Sequence, residues 1–412
     1  MKRALKWFGG VAGSVVLLVA CFLAYVQVTG IPRYPHVTPV RTVAVTPERA
    51  AAGRKIATML CAGCHLDPAT GRFTGKRLSD LPAEFGEIYS RNITASTSKG
   101  IGAWTDGELA YLLRTGLRPD GTYLPPYMVK LPHLSDEHLD SLIAFLRSGD
   151  PLVAPMDVDP PGRSRPSLLA KVLTHLVMKP LPYPTGPIVA PPKSDTVAYG
   201  RYLVTSLDCF SCHSASFKTI RVMEPEKSPG FMGGGNALTD LNGRAIRSAN
   251  LTPDAKTGIG RWSASDFSRA VRRGIRPDGH PLHYPMLPIP ELSEEDVSAM
   301  FAYLRTIPAI ENAVERYRDP IPAGDAGKRA YFKYGCVSCH GENGVGVADL
   351  RTADRHYPTD GALLEWILDA PRLEPDTKMP AWRGVIAETD YGPLLAHVRK
   401  LAAKGRGETA QR

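Results

Sequence analysis

Cys61-Ala62-Gly63-Cys64-His65, Cys209-Phe210-Ser211-Cys212-His213 and Cys336-Val337-Ser338-Cys339-His340 are three copies of one pattern, C-x-x-C-H, in a chain of 412 residues. They use six of the seven cysteines, whereas composition alone would give about 0.003 such copies. The spacing is that of covalent haem c attachment. Two thiols one short turn apart reach the two vinyl groups on one porphyrin edge, and the next histidine stands under the iron as proximal ligand. Three disulfides, or a redox C-x-x-C, leave the histidine after every pair unexplained. A zinc site would pair two C-x-x-C units, yet these motifs start 148 and 127 residues apart. The expectation is three haem c groups, held by Cys61 and Cys64, Cys209 and Cys212, and Cys336 and Cys339, with His65, His213 and His340 on the irons.

Downstream of the first two motifs the chain repeats itself. Asn92 to Arg147 matches Asn250 to Arg305 at a constant offset of 158. Asn92-Ile93-Thr94 faces Asn250-Leu251-Thr252, Gly100-Ile101-Gly102-Ala103-Trp104 faces Gly258-Ile259-Gly260-Arg261-Trp262, and Arg118-Pro119-Asp120-Gly121 faces Arg276-Pro277-Asp278-Gly279. Between motif and asparagine the offset is only 148, so the second copy carries ten extra residues, expected in the loop with Gly233-Gly234-Gly235. Thr46-Pro47 reads as an N-cap with proline at the first helical position. It opens a helix over roughly Pro47 to Leu60 that delivers Cys61, and Tyr199 to Leu207 and Ala326 to Tyr334 do the same for the other motifs. Ser135 and Ser293 read as N-caps followed by acidic residues. The apolar stripes Leu139, Leu142, Ile143, Leu146 and Val297, Met300, Phe301, Leu304 then mark helices.

The sixth iron position decides the chemistry: open, it binds small molecules; capped by methionine, it carries electrons. Met128 follows Pro125-Pro126-Tyr127, Met286 follows Tyr284-Pro285 at the equivalent position, and Met379 precedes Pro380. Proline beside each stiffens the loop. His283 is a rival to Met286 and His356 a weaker one to Met379; His133, His138, His280 and His397 read as surface or capping residues. Trp104, Trp262 and Trp382 read as packing on the haem edge, and Arg114, Arg118, Arg272 and Arg276 as possible partners of the propionates.

Lys2, Arg3 and Lys6 precede an uncharged run from Trp7 to Pro32. Its most apolar part, Val11 to Val28, is about 27 Å long as a helix. That is longer than a secretory h-region, and the charges before it favour a cytoplasmic N-terminus. The expectation is an uncleaved anchor in the bacterial inner membrane, with the rest periplasmic. Leu18-Val19-Ala20-Cys21 keeps a lipoprotein reading open, against which the apolar run continues past Cys21. Net charge is +9, but lysine and arginine are scattered without interleaved aromatics, which argues against nucleic acid. Six propionates would lower the formal charge to about +3.

With these motifs in view, the chain resembles the membrane-bound tri-haem cytochrome c subunits of periplasmic dehydrogenases, over roughly Pro47 to Leu401. The resemblance rests on Asn250-Leu251-Thr252-Pro253-Asp254, Gly258-Ile259-Gly260-Arg261-Trp262, Arg273-Gly274-Ile275, Cys336 to Gly341 and Met379-Pro380. Such subunits accompany quinoprotein, flavoprotein and molybdenum dehydrogenases. The resemblance implies that electrons pass from a partner's cofactor through the haems to ubiquinone or an oxidase. By the same match His65, His213 and His340 are proximal, and Met128, Met286 and Met379 distal. The first copy departs from the pattern, with Ala95-Ser96 where Pro-Asp is the rule.

The expected architecture is all-α: three tandem cytochrome c-type domains after one N-terminal transmembrane helix. The boundaries read as anchor 1–32, domains 44–150, 193–308 and 325–404, linkers 151–192 and 309–324, and a disordered tail 405–412. The first linker holds eleven prolines, and within it Leu168 to Met178 reads as a short apolar helix packing between domains. The function expected is electron transfer without catalytic residues. The alternatives are a haem enzyme with one open sixth position and a free-standing relay from quinol to oxidase.

Overall fold

The computed structural model describes residues 2–79, 81–241, 243–315, 320–374 and 377–409. Residues 316–319 of the expected second linker and 410–412 of the expected tail lie outside it. The chain divides into two compact units, 1–189 and 190–412. It is mostly helical, with almost no sheet among the described residues.

The first unit begins with α1 (Lys2–Thr29), in which Gly10–Thr29 is long and apolar enough to cross a membrane. Then come α2 (Pro47–Leu60), the one-turn α3 (Ala62–His65), α4 (Asp106–Thr115), α5 (Asp136–Leu146) and α6 (Leu168–Leu176). Two short strands, β1 (Gly86–Glu87) and β2 (Arg165–Pro166), pair antiparallel. The Thr46 hydroxyl accepts from Arg49 N–H, so α2 starts where threonine and proline place it. Helix α5 starts at the Ser135 cap. Together α2 and α5 enclose a core that includes Phe73, Leu109, Leu139, Leu142 and Phe145.

The second unit holds two similar crossings. Helices α7 (Thr196–Ser206), α8 (Cys209–His213), α9 (Ala264–Arg273) and α10 (Glu294–Leu304) repeat the plan of α2 to α5. Then follow α11 (Ala326–Lys333), α12 (Val337–His340), α13 (Ala353–His356), α14 (Asp360–Leu373) and α15 (Tyr391–Thr409). A small antiparallel hairpin, β3 (Ala237–Thr239) and β4 (Ala245–Arg247), is the sheet of this unit.

One device recurs that no motif announces. A glycine sits where the helix before each C-x-x-C-H motif crosses a later helix. A Cβ at Gly53 would lie 1.8 Å from the Ser141 carbonyl oxygen, at Gly200 1.9 Å from that of Ala299, and at Gly327 2.2 Å from that of Pro393. Side-chain-free backbone lets α2 and α5, α7 and α10, and α11 and α15 approach more closely than any other residue allows.

Helix α6 sits against the end of α1 and against β2, within the first unit. Between His213 and Gly234 the second copy has eleven more residues than the first has between His65 and Gly75, and one fewer from there to the asparagine, so the net ten extra lie ahead of Gly234. Gly75 N–H binds the His65 carbonyl and Gly234 N–H that of His213, so those two glycines are equivalent. His397 is not at the surface but buried, its ring 5.1 Å from that of Tyr331.

Candidate haem-binding sites

Each C-x-x-C-H histidine is set by a single carbonyl. His65 Nδ1 lies 2.8 Å from the Arg91 oxygen, His213 Nδ1 2.8 Å from the Ala249 oxygen, and His340 Nδ1 3.2 Å from the Ala348 oxygen. A carbonyl only accepts, so Nδ1 carries the hydrogen and Nε2 keeps its lone pair for a metal. Burial pulls all three imidazoles below their usual range, which favours the neutral ring that ligation requires.

The Asn-x-Thr motif explains how those carbonyls are held. Asn92 follows Arg91, and Asn250 follows Ala249. Asn92 Oδ1 accepts from the N–H and hydroxyl of Thr94, and its Nδ2 donates to the carbonyls of Met156 and Val158. Asn250 Oδ1 accepts likewise from Thr252, while its Nδ2 donates to Thr257 and the Ile310 carbonyl. Both asparagines are buried. Gly75 (φ 89°) and Gly234 (φ 69°) run against the segments just before these asparagines, where a Cβ would meet backbone atoms at 2.4 and 2.5 Å. The repeat makes the asparagine visible in sequence; its role needs the fold.

Of the distal candidates, Met286 shares a cavity with its motif histidine, while Met128 and Met379 pack on hydrophobic cores. Met128 packs on the core of the first unit, as do Cys61 and Trp104. Met286 lines a cavity of about 480 Å³ together with Cys209, Cys212, His213 and Trp262. That size is in the range of a cofactor pocket. Met379 packs on the third core, as does Cys336. His283 also faces the 480 Å³ cavity, with Nδ1 3.1 Å from the Tyr284 carbonyl oxygen. His356 is exposed at the end of α13.

The residues present fit a porphyrin. Burial pushes Cys61, Cys209 and Cys336 up to about 12, and Cys339 to about 11. Thiol–disulfide exchange needs the opposite shift. No disulfide and no converging group of three His, Cys, Asp or Glu occurs among the described residues. Trp382 is 3% exposed, and its indole N–H has no partner among the described residues. A carboxylate reaching into that core would satisfy it.

The arginines are a mixed outcome. Arg114 is not available to a propionate: it is fully buried and donates to the carbonyls of Leu131 and Leu134 and to Asp136. Arg272 pairs with Glu294. Arg276 lines the cavity, 3.4 Å from Asp278, and Arg118 lies 3.9 Å from Asp120. Sequence reasoning missed Arg147, whose guanidinium ties the carbonyls of Ile101 and Trp104 and the Asp106 carboxylate. Arg305 binds the Gly260 carbonyl in the second copy.

A helix-crossing fold that aims a C-x-x-C-H histidine into an apolar pocket, with its tautomer fixed, defines a c-type cytochrome. Residues 322–398 match the family described as cytochrome c oxidase, cbb3-type, subunit III. The chain is 28% identical over 343 residues to the fructose dehydrogenase cytochrome subunit of Gluconobacter japonicus, which covers 73% of this chain and 64% of that protein. It is 28% identical over 310 residues to the cytochrome c subunit of the quinone alcohol dehydrogenase of Gluconacetobacter polyoxogenes, covering 70% and 64%. It thus spans less than two thirds of these two relatives. A diheme cytochrome c-type protein of Cereibacter sphaeroides is 32% identical over 272 residues, 61% of this chain and 83% of that protein. The chain belongs to the family of c-type cytochromes that includes the cytochrome subunits of these dehydrogenases.

Proposed function

We propose that this protein is a membrane-tethered electron carrier holding three haem c groups and serving a periplasmic dehydrogenase. The haems are attached at Cys61 and Cys64, Cys209 and Cys212, and Cys336 and Cys339. His65, His213 and His340 are the proximal ligands, and Met128, Met286 and Met379 the distal ones. A haem iron between imidazole and thioether exchanges single electrons at a raised potential. The observation that carries the reading is the recurrence of one arrangement, a motif histidine fixed through Nδ1 in all three copies, with Met286 lining the same cavity as His213. Helix α1 is the anchor, with the haem-bearing part in the periplasm, and the electrons leave to ubiquinone or a terminal oxidase. The 480 Å³ cavity reaches Phe332, Lys333 and Ser338, next to the third motif.

Purified full-length protein should give three haem c per chain by pyridine haemochrome and should not bind carbon monoxide or cyanide at low concentration. Replacing Met128, Met286 and Met379 singly should each open one haem to these ligands. A haem indifferent to the loss of its methionine was never capped by it, and ready binding to the unaltered protein would favour a haem enzyme. Co-purification with a dehydrogenase in mild detergent separates a subunit from a free-standing relay.

A further inference from the structure

Helix α6 is turned inside out. At about 100° per residue, Leu168, Leu169, Val172, Leu173, Leu176 and Val177 form one continuous apolar face. In a globular protein that face packs inward. Here the small residues do so: Ala170 is 3% and Thr174 0% exposed, while Leu169 is 47%, Leu176 60% and Val177 71% exposed. The chain holds α6 in this pose from both ends. Ser167 caps it and donates to the Glu84 carbonyl, β2 pairs with β1, and Met178 N–H returns to the Leu173 carbonyl.

What covers the face is read from its neighbour. Lys171 Nζ is 3.0 Å from Gln27 Oε1, His175 Nε2 is 3.0 Å from the Gly30 carbonyl oxygen, and the His175 ring meets Tyr25 at 5.8 Å. All three partners lie at the C-terminal end of α1. The surface of α1 is itself exposed and apolar, and Trp7 and Tyr25, about 27 Å apart along it, are spaced as the two aromatic belts of a bilayer. Helix α6 is therefore docked at the level where α1 would leave the hydrocarbon. Basic side chains flank it: Arg163, Arg165 and Lys179 are exposed beside the apolar face. An amphipathic helix with this composition, at this depth, matches the interface of an anionic bilayer.

We propose that α6 lies in the bilayer interface, with its leucine face on the acyl chains, as a second membrane contact that fixes the tilt of the first unit. The proposal rests on the reading of α1 as an anchor, and the test separates the two. Full-length haem-loaded protein is reconstituted in vesicles of phosphatidylethanolamine and phosphatidylglycerol containing a phospholipid with a diazirine on the acyl chain. After illumination, labelled peptides are mapped by mass spectrometry. Peptides from 7–29 and from 168–177 should both carry label, each at least tenfold above α4. In the double variant Leu169→Glu, Leu176→Glu, label on 168–177 should fall at least fivefold, with α1 labelling and haem content unchanged. Label on α1 alone overturns the proposal and leaves the anchor standing. Label on neither overturns the anchor as well. Label on 168–177 that survives the double substitution overturns the assignment of the leucine face.

Discussion

Residues 92–147 and 250–305 are two versions of one design, and they differ most where each is fastened. In the second copy Asp254 is inside the loop it braces: its Oδ1 accepts from Lys256 N–H and from the N–H and hydroxyl of Thr257. In the first copy Ser96 stands there, and the carboxylate comes from Asp157, 61 residues on, which accepts from the hydroxyls of Ser96 and Ser98. The same brace is local in one copy and long-range in the other. The arginines tell a similar story. Arg114 and Arg272 are equivalent, as are their partners Asp136 and Glu294. The Arg114 side chain is 1% exposed and satisfies two carbonyls besides its carboxylate. Glu294 is 70% exposed, and its pair is largely a surface one. The first copy has drawn its arginine inward.

The feature common to both copies should give the largest effect. A methyl at Gly53 or Gly200 cannot be placed without separating two helices, and overpacking of backbone against backbone costs about 3 kcal/mol or more. Gly53→Ala should lower the thermal midpoint and remove one haem equivalent, with Cys209 and Cys336 still modified, as read by mass spectrometry of haem peptides. Gly200→Ala should spare Cys61 instead. If either variant lost all haems together, the copies would not be independent folding modules.

Arg114→Ala and Arg272→Ala sharpen the contrast. The first removes a buried donor from the carbonyls of Leu131 and Leu134 and from Asp136, which keeps Arg41 and the Ile188 N–H, at a cost of about 2–4 kcal/mol. The second loses a partly exposed pair, at about 1 kcal/mol or less. Urea unfolding at neutral pH measures both, and equal losses would contradict the burial difference. Asn92→Ala and Asn250→Ala come next. Each strips a buried clamp at about 1–2 kcal/mol, and each should also shift the reduction potential of its own haem, since the carbonyl on the proximal histidine is no longer fixed. A stability loss with both potentials unmoved would reduce the asparagine to a structural role.

The pattern of legibility has a physical reason. Thr46-Pro47, Ser135 and Ser293 announced their helices because capping is local, and the side chain acts within three residues of itself. The C-x-x-C-H motifs were legible because covalent haem attachment fixes their spacing. Gly53, Gly200 and Gly327 were silent, since a crossing point is set by a helix that comes much later in the chain. Arg114 looked like a propionate partner by type; only the carbonyls of Leu131 and Leu134 show that it is spent inside. Helix α6 was recognised as apolar, but periodicity reports that a face exists and not which way it turns.

The two braces give the smallest effect and the cleanest comparison. Hydrogen bonds, first that from Ser96 to Asp157 and that from the Thr257 hydroxyl to Asp254, hold both carboxyls below the usual carboxylate range. The native state therefore binds fewer protons than the unfolded chain. The contribution of each brace is complete above the unfolded value, about pH 4, and is lost as pH falls through the lower native value. In the second copy that loss loosens one turn. In the first it also frees a linker, because Asp157 is the far end of a long closure. Asn92 still holds the carbonyls of Met156 and Val158 there, so the release is partial. Hydrogen exchange of the amides over 155–160 should quicken severalfold between pH 5 and pH 2.5, beyond the change in intrinsic rate, while that over 308–312 stays put. Asp157→Asn should give the fast exchange already at pH 5 and flatten its pH dependence, and Asp254→Asn should leave 155–160 untouched. A linker equally protected at both pH values in the unaltered protein would mean that Asp157 braces nothing.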